Sequence, residues 1–266
     1  MKFTDQKLIF DVGVHDGSDS AYYLQRGFHV VGVEASPVMV ANLQQRFAAE
    51  IATGQYELLH VGVAETEGEL TFWVCDDVPE WSSFDEKLAA RNGSAHHPVK
   101  VRTQRFDSIL AQYGGVHYCK IDIEGHDIVC LRHMHGASTP DFLSVEMHHR
   151  RGDEEIALLR ELGYRRFKII SQVTRAQPMP AMTYLKGWLP NRVSRWMQEF
   201  DKRVRGAPRD EGWTFPWGSS GAFGDATPGP WHDHAAILDR WRQLRDSEPR
   251  HARHGLIDWY DFHATQ

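Results

Sequence analysis

Five stretches of this chain run from apolar residues into residues that can do chemistry. LIFDVGVHDGSDS carries Asp11, Gly13, His15, Gly17 and Ser18, and FHVVGVEASP carries Glu34, Ala35 and Ser36. YELLHVGV ends in Gly62 and Val63, VHYCKIDIEG in Asp122 and Glu124, and DFLSVEMHH in Glu146, His148 and His149. A single strand that turns acidic at its end is an ordinary solvated exit, but four such ends sharing one edge describe a lined site. Glu34 follows Gly13 by 21 residues, near the ~20-residue spacing at which an acid takes ribose hydroxyls in nucleotide-binding βαβ units. The expected chemistry is recognition of a nucleoside-containing cofactor.

One position separates the candidates. A dinucleotide site wants G-x-G-x-x-G, whose second glycine lets the backbone approach a pyrophosphate. Here the residue two after Gly13 is His15, and Asp11, Asp16 and Asp19 make the turn acidic. Bulk and negative charge both oppose a diphosphate. S-adenosylmethionine brings a ribose, a sulfonium and an ammonium but no phosphate, and it suits this loop better than a nicotinamide dinucleotide does.

The elements that must position these residues follow from the apolar pattern. Leu8 to Val12 reads as a strand buried on both faces. Gly13 turns the chain, Ser18 or Asp19 is the expected N-cap of the helix SAYYLQR, and Gly27 closes it. A second strand ends at Glu34, and Pro37 opens the helical stretch VMVANLQQRFAAEI. Tyr56–Val63 is read as the third strand, and GELTFWV and VKVRT as two further strands flanking an irregular segment, Cys75 to Pro98, able to fold over a ligand. RFDSILAQYG is a short helix, Val116 to Gly125 the fourth core strand, DIVCLRHM a helix and Asp141 to His149 the fifth strand. DEEIALLRELG and YRRFKIIS add a helix and a sixth strand. A helix over Ala235 to Arg245 precedes a last strand in HGLIDWYDFHA. The expected fold class is α/β: a mostly parallel, doubly wound Rossmann-like sheet with a long insertion before the last strand. The organisation is a core over 1–171, an insertion over 172–232, and a C-terminal helix and strand over 233–266 that complete the core.

Length and composition narrow the function. A chain of 266 residues is long enough for one well-buried core and a small appendage. A net charge of −6 gives no electrostatic footprint for nucleic acid. No apolar run approaches membrane-spanning length, and MKFTDQ leads straight into the first strand with no room for a signal peptide. Three cysteines, Cys75, Cys119 and Cys130, lack any CxxC spacing, as in a reduced, cytoplasmic protein with buried thiols. His96, His97, His133 and His135 have no partners at useful spacing and are expected on the surface.

These motifs resemble a family. DVGVHDG is similar to the D-V-G-x-N-x-G turn of the FkbM-type S-adenosylmethionine-dependent methyltransferases, and VEASP, KIDIEGHD and VEMHH resemble their later motifs over about Ile9 to His149. His15 stands where an asparagine is usual, and Arg105-Phe106 replaces the common Thr-Leu. The resemblance implies a class I methyltransferase with S-adenosylmethionine as donor and a hydroxyl of a small molecule or sugar as acceptor. It implies that backbone groups around Gly13 hold the methionine end, that Glu34 takes the ribose and Val63 packs on adenine. Asp122 would lie near the ammonium or the reacting methyl; the competing role for Asp122 is a plain helix N-cap.

Methyl transfer to an alcohol needs alignment and a group to take the proton. In an extended strand Glu146 and His148 share a face, so His148 can act as base with Glu146 beside it. Alternatively Asp122, Glu146 and His148 hold a divalent cation, a reading not favoured, or they are a polar strand end without chemistry. Two other classes remain open: a nicotinamide-dependent oxidoreductase, and a non-catalytic binding module on the same fold. In the insertion, Trp188, Trp196, Trp213, Trp217 and Trp231 argue against a solvated linker. It is read as an acceptor-side lid in which Trp217 or Phe223 covers the acceptor, or else as a sheet cover or a homo-oligomer interface.

Overall fold

The computed structural model describes residues 7–134, 139–179, 218–252 and 259–266, and between 180 and 217 residues 181, 188–190, 192–193, 196–197, 200 and 212–216. The chain divides into two compact units, Met1–Asp141 and Phe142–Gln266. The first contains β1 (Leu8–Val12), α1 (Ser18–Gln25), β2 (His29–Glu34), α2 (Pro37–Arg46), α3 (Ala48–Thr53) and β3 (Tyr56–His60). It continues through β4 (Gly62–Val63), β5 (Gly68–Cys75), α4 (Glu86–Ala89), β6 (His96–Gln104), α5 (Phe106–Leu110), β7 (Val116–Ile121) and α6 (Asp127–His133). The second contains β8 (Phe142–Glu146), α7 (Gly152–Glu161), β9 (Arg166–Ser171), α8 (His234–Ala252) and β10 (Tyr260–Thr265).

Seven strands form one sheet in the order β3-β2-β1-β7-β8-β10-β9. β1 pairs in parallel with β2 and β7, and β2 with β3, whereas β10 runs antiparallel to β8 and β9. This is the mostly parallel α/β sheet expected from the sequence, with the last strand reversed. Every residue of β1 is buried, which is why it reads as a continuous apolar run. Phe10 meets Phe106 and Tyr113 edge-on on one face, while Asp11 points to the other, toward α1, and bonds Ser20 at 2.6 Å. The three cysteines are free and buried, and no described helix is long and apolar enough to cross a membrane.

The stretch 56–63 is not one strand. The main-sheet strand stops at His60, Val61 N–H donates to the Glu34 carbonyl at 3.0 Å, and Gly62–Val63 pair instead with Thr103 and Gln104 in the small sheet β4-β6-β5. Gly62 permits this because the Phe84 ring lies 2.3 Å from where a Cβ would stand. The helical stretch after Ser36 breaks at Phe47, whose ring packs on Tyr56 at 4.7 Å. α5 stops at Leu110, short of the glycines, and β7 and β8 end at Ile121 and Glu146, before the polar residues read as their last positions.

Within the second unit, the described end of the insertion runs along the sheet. Arg175, just beyond β9, donates to the Pro216 carbonyl and lies over the Phe215 ring. Phe223 rests on Phe142, at the amino end of β8, and His232 bridges Phe167 near the start of β9. Phe223 therefore covers the sheet at Phe142, which stands four residues before Glu146, about 13 Å along a strand. It is not positioned as a lid over the strand's carboxyl end. Trp217 and most of residues 191–204, whose sequence reads as helical, lie outside the described residues.

Candidate functional site

The turn after β1 is built by close backbone approach. Gly13 adopts φ +85°, its N–H donates to Val33, and the neighbouring Asp122 N–H donates to Val12, both at 2.9 Å. A Cβ on Gly13 would lie 1.7 Å from the Asp122 carbonyl oxygen. Glycine is thus required by the junction of two chain segments. Gly17, also left-handed, is the residue before α1 and makes no side-chain cap. The expected cap at Ser18 or Asp19 is instead supplied by Asp16, whose carboxylate accepts from the Ser18 N–H at 2.9 Å and its hydroxyl at 2.7 Å. Asp16 has the right side chain one residue earlier, because the left-handed Gly17 turns the chain between the two.

Glu34 ends β2 as expected, and the turn fixes its carboxylate. One oxygen accepts the His15 N–H at 3.0 Å and the other the Ser36 N–H at 2.7 Å. Burial raises its pKa, opposed by the Ser36 and His15 N–H bonds. Each oxygen keeps acceptor capacity for a hydroxyl. Ser36 caps α2 through the Met39 N–H, and Ala35 packs against Phe72, Val74 and Val101 of the small sheet. Val63 is itself buried. His15 adopts φ +51° and directs Nε2 to within 3.8 Å of Glu80.

Beneath the turn lies a residue to which sequence reasoning gave no role. Lys120 is 4% exposed and is the register partner of Asp11. Its Nζ stands 3.4 Å from Asp11, 3.6 Å from Asp19, 3.7 Å from Asp122 and 3.4 Å from the Gly13 carbonyl. Asp11 is pushed up to about 6 by burial, against the pull of Lys120. Asp122, with its side chain 22% exposed, is the outermost of the three acids.

Asp122 is not a helix N-cap: His126 holds that position before α6. Asp127, the first residue of α6, instead braces the loop before it: its carboxylate accepts from Ile123 N–H at 2.8 Å and Gly125 N–H at 3.0 Å. This supports Glu124 at φ +48°, a conformation that costs a non-glycine residue about 1–3 kcal/mol. Glu124 pairs with Arg91 at 2.6 Å, and its carbonyl accepts from Ser83 at 3.1 Å. Burial pushes Glu124 up to about 7, with Arg91 opposing and Asp122 adding. Arg91 and Ser83 come from the irregular segment after β5, which therefore does fold over the end of β7. His133, expected on the surface, is buried: Nδ1 accepts the Phe106 N–H at 3.3 Å and Nε2 lies 3.2 Å from Glu65.

In the second unit, the chain leaves the strand geometry after Glu146, so the alternation expected to put Glu146 and His148 on one face does not extend to His148. His148 N–H donates to Glu155 at 3.2 Å, and Arg150 N–H donates to its Nδ1 at 3.3 Å. A neutral imidazole held in this way carries its proton on Nε2. His149 lies edge-on to Trp241, and burial lowers its pKa. Among the described residues no three of His, Cys, Asp and Glu form a group that could hold a metal ion.

Against this geometry, a family model described as the methyltransferase FkbM domain matches residues 11–166, and the chain belongs to that family. It is a class I S-adenosylmethionine-dependent methyltransferase. The residues present fit the donor: a buried carboxylate with free acceptor capacity at the ribose spacing, and an excess of acid under the turn where a cation belongs. Similar solved structures include StiE O-MT, at 11% identity over 98% of this chain and 68% of that one, TM-score 0.42. They also include phosphoethanolamine N-methyltransferase 2 from Haemonchus contortus, at 11% over 99% and 49%, TM-score 0.40. A third is precorrin-6y C5,15-methyltransferase from Geobacter metallireducens, at 10% over 64% and 70%, TM-score 0.37. No curated protein matches the chain.

Proposed function

We propose that the protein methylates a hydroxyl of a small molecule or sugar. The observation that carries this reading is the carboxylate pair beyond β7, Asp122 and Glu124, with Glu124 pushed up to about 7. A group of that basicity is suited to take the proton of an alcohol near neutral pH. Nitrogen or carbon acceptors of higher nucleophilicity have less need of one. Bound S-adenosylmethionine supplies an electrophilic methyl with a thioether as leaving group. The chain's part is to hold the ribose on Glu34, receive the amino-acid end between Gly13 and Asp122, and accept the proton at Glu124.

His148 is the second candidate for the proton, and the Arg150 N–H on its Nδ1 counts against it. The test has two stages. Calorimetry with S-adenosylhomocysteine and NAD comes first, and binding of the former alone is expected. Incubation with labelled donor and a metabolite mixture then identifies the product by mass spectrometry. On that product Glu124→Gln should lose ~10²–10⁴ in turnover, with S-adenosylhomocysteine affinity little changed. A product methylated on nitrogen or carbon would overturn the hydroxyl assignment.

A further inference from the structure

We propose that Lys120 is the positioning residue for the amino-acid end of the cofactor: from inside the sheet it holds the Gly13 turn and the Asp122 carboxylate in the arrangement that receives it. This rests on the S-adenosylmethionine reading above.

Oxygens of Asp11, Asp19, Asp122 and Gly13 stand at 3.4, 3.6, 3.7 and 3.4 Å from the Lys120 ammonium, at the long edge of hydrogen bonding. The ammonium is thus shared among groups from three places: Asp11 and the Gly13 carbonyl at the end of β1, Asp19 in the first turn of α1, and Asp122 beyond β7. A buried cation held by one acid would be a local ion pair. Held by three, it fixes the separation of the segments that carry them. Asp11 is additionally tied to Ser20, and Asp122 to Val12 through its own N–H, and of the three acids the Asp122 side chain is the most exposed, at 22%.

Charge points the same way. Three carboxylates face one lysine, so the assembly carries acid in excess even with Asp11 partly protonated. A ligand bringing an ammonium and a sulfonium, against one carboxylate of its own, offsets part of that excess, while Lys120 keeps the acids from repelling one another. Lys120 itself is too enclosed to touch a ligand, which makes it a positioning residue and not a catalytic one.

The prediction concerns one end of the cofactor only, and two ligands separate the ends. S-adenosylhomocysteine has the amino-acid tail; 5′-methylthioadenosine keeps the nucleoside and lacks the tail. Lys120→Met should weaken S-adenosylhomocysteine by about tenfold or more, the size of one charge-assisted contact. Methylthioadenosine should change by less than about twofold, a difference far below one hydrogen bond. General damage to the fold would lower both together, and that result would overturn the proposal, as would no change in either.

Three uncompensated acids endanger folding, so the charge-balanced pair Lys120→Met with Asp19→Asn is made alongside and carries the same readout if the single variant does not fold. The double variant should still discriminate against the tail. If removing the Asp19 charge restores wild-type S-adenosylhomocysteine affinity, Lys120 only neutralises, and the positioning role fails. Wild-type protein that binds neither ligand would instead sink the cofactor reading itself.

Discussion

Two buried lysines, one in each unit, show how the same side chain is put to different use. Lys120, in the first unit, is surrounded by three carboxylates at the end of the strands. Lys168, in the second, is 2% exposed and turns to neutral acceptors: the Thr227 carbonyl at 2.8 Å, the Thr227 hydroxyl at 3.0 Å and the Gly224 carbonyl at 3.5 Å. The Trp231 ring lies 4.3 Å from its Nζ, a cation–π distance. Burial lowers the pKa of Lys168, and its cross-strand neighbour His263 is pushed down to about 3 by burial, with Lys168 adding. Both ring nitrogens of His263 are buried without a hydrogen-bond partner. The first arrangement leaves acid in excess beside an open turn and can receive a cation. The second closes on itself and pins the 224–231 segment to β9. Burying a lysine is costly in both places, but the first is surrounded by carboxylates and the second by neutral acceptors.

The comparison can be broken most decisively at the first site's backbone. Gly13→Ala would put a Cβ into the Asp122 carbonyl in a conformation that disfavours side chains. It should destabilise the protein by about 3 kcal/mol or more and abolish S-adenosylhomocysteine binding. Urea denaturation and calorimetry together check it, and a stable variant that binds normally would mean that the Val12–Asp122 junction does not define the site.

Glu34→Ala should cost ~1.5–3 kcal/mol of S-adenosylhomocysteine affinity, since it removes a charged acceptor. Unchanged affinity in a folded variant would remove Glu34 as the ribose ligand. Lys168→Met should do the reverse. It strips the donor from the Thr227 and Gly224 acceptors and should lower stability by ~1–3 kcal/mol, with the affinity for S-adenosylhomocysteine intact. A fall in affinity without loss of stability would show that the second lysine also serves the ligand.

The smallest effect is a pH dependence of opposite sign in the two regions. Asp11 and Asp127 rise from 3.8 to about 6, and Glu124 from 4.5 to about 7. Raised folded values mean that their contribution to stability is full below about 4 and is lost as pH climbs through 6 to 7. His263 falls from 6.5 to about 3, so its contribution is full above 6.5 and is lost as pH drops toward 3. Acidification from pH 7 to 5 should therefore loosen β9 and β10 relative to β1 and β7. Hydrogen exchange corrected for intrinsic rate reads this directly, and His263→Leu should remove the loosening of β9 and β10 while leaving the gain at β1 and β7. Equal loosening of all four strands would contradict the assignment.

Much of this was written in local pattern. An unbroken apolar run gives β1, a glycine follows it, and an acid 21 residues later meets the ribose spacing, because strand, turn and helix lengths are set by short-range geometry. The shared face expected for Glu146 and His148 does not form because the alternation rule holds only while the chain stays extended, and the strand ends at Glu146. His133 was misjudged because its partners, the Phe106 N–H and Glu65, are distant in sequence. Lys120 did leave a signal, a cation near the end of the apolar strand VHYCKI, and a buried charge must find a partner. Which partner could not be read: Asp11 is 109 residues away, and Asp19 and Asp122 reach the same ammonium from a helix and a loop. The sequence by itself determined the order of strands and helices and the cofactor class, since both depend on spacing along the chain. The tertiary structure alone decided which acids share one lysine and where a carboxyl is raised toward neutrality, because burial and charge proximity are properties of chain segments brought together by folding.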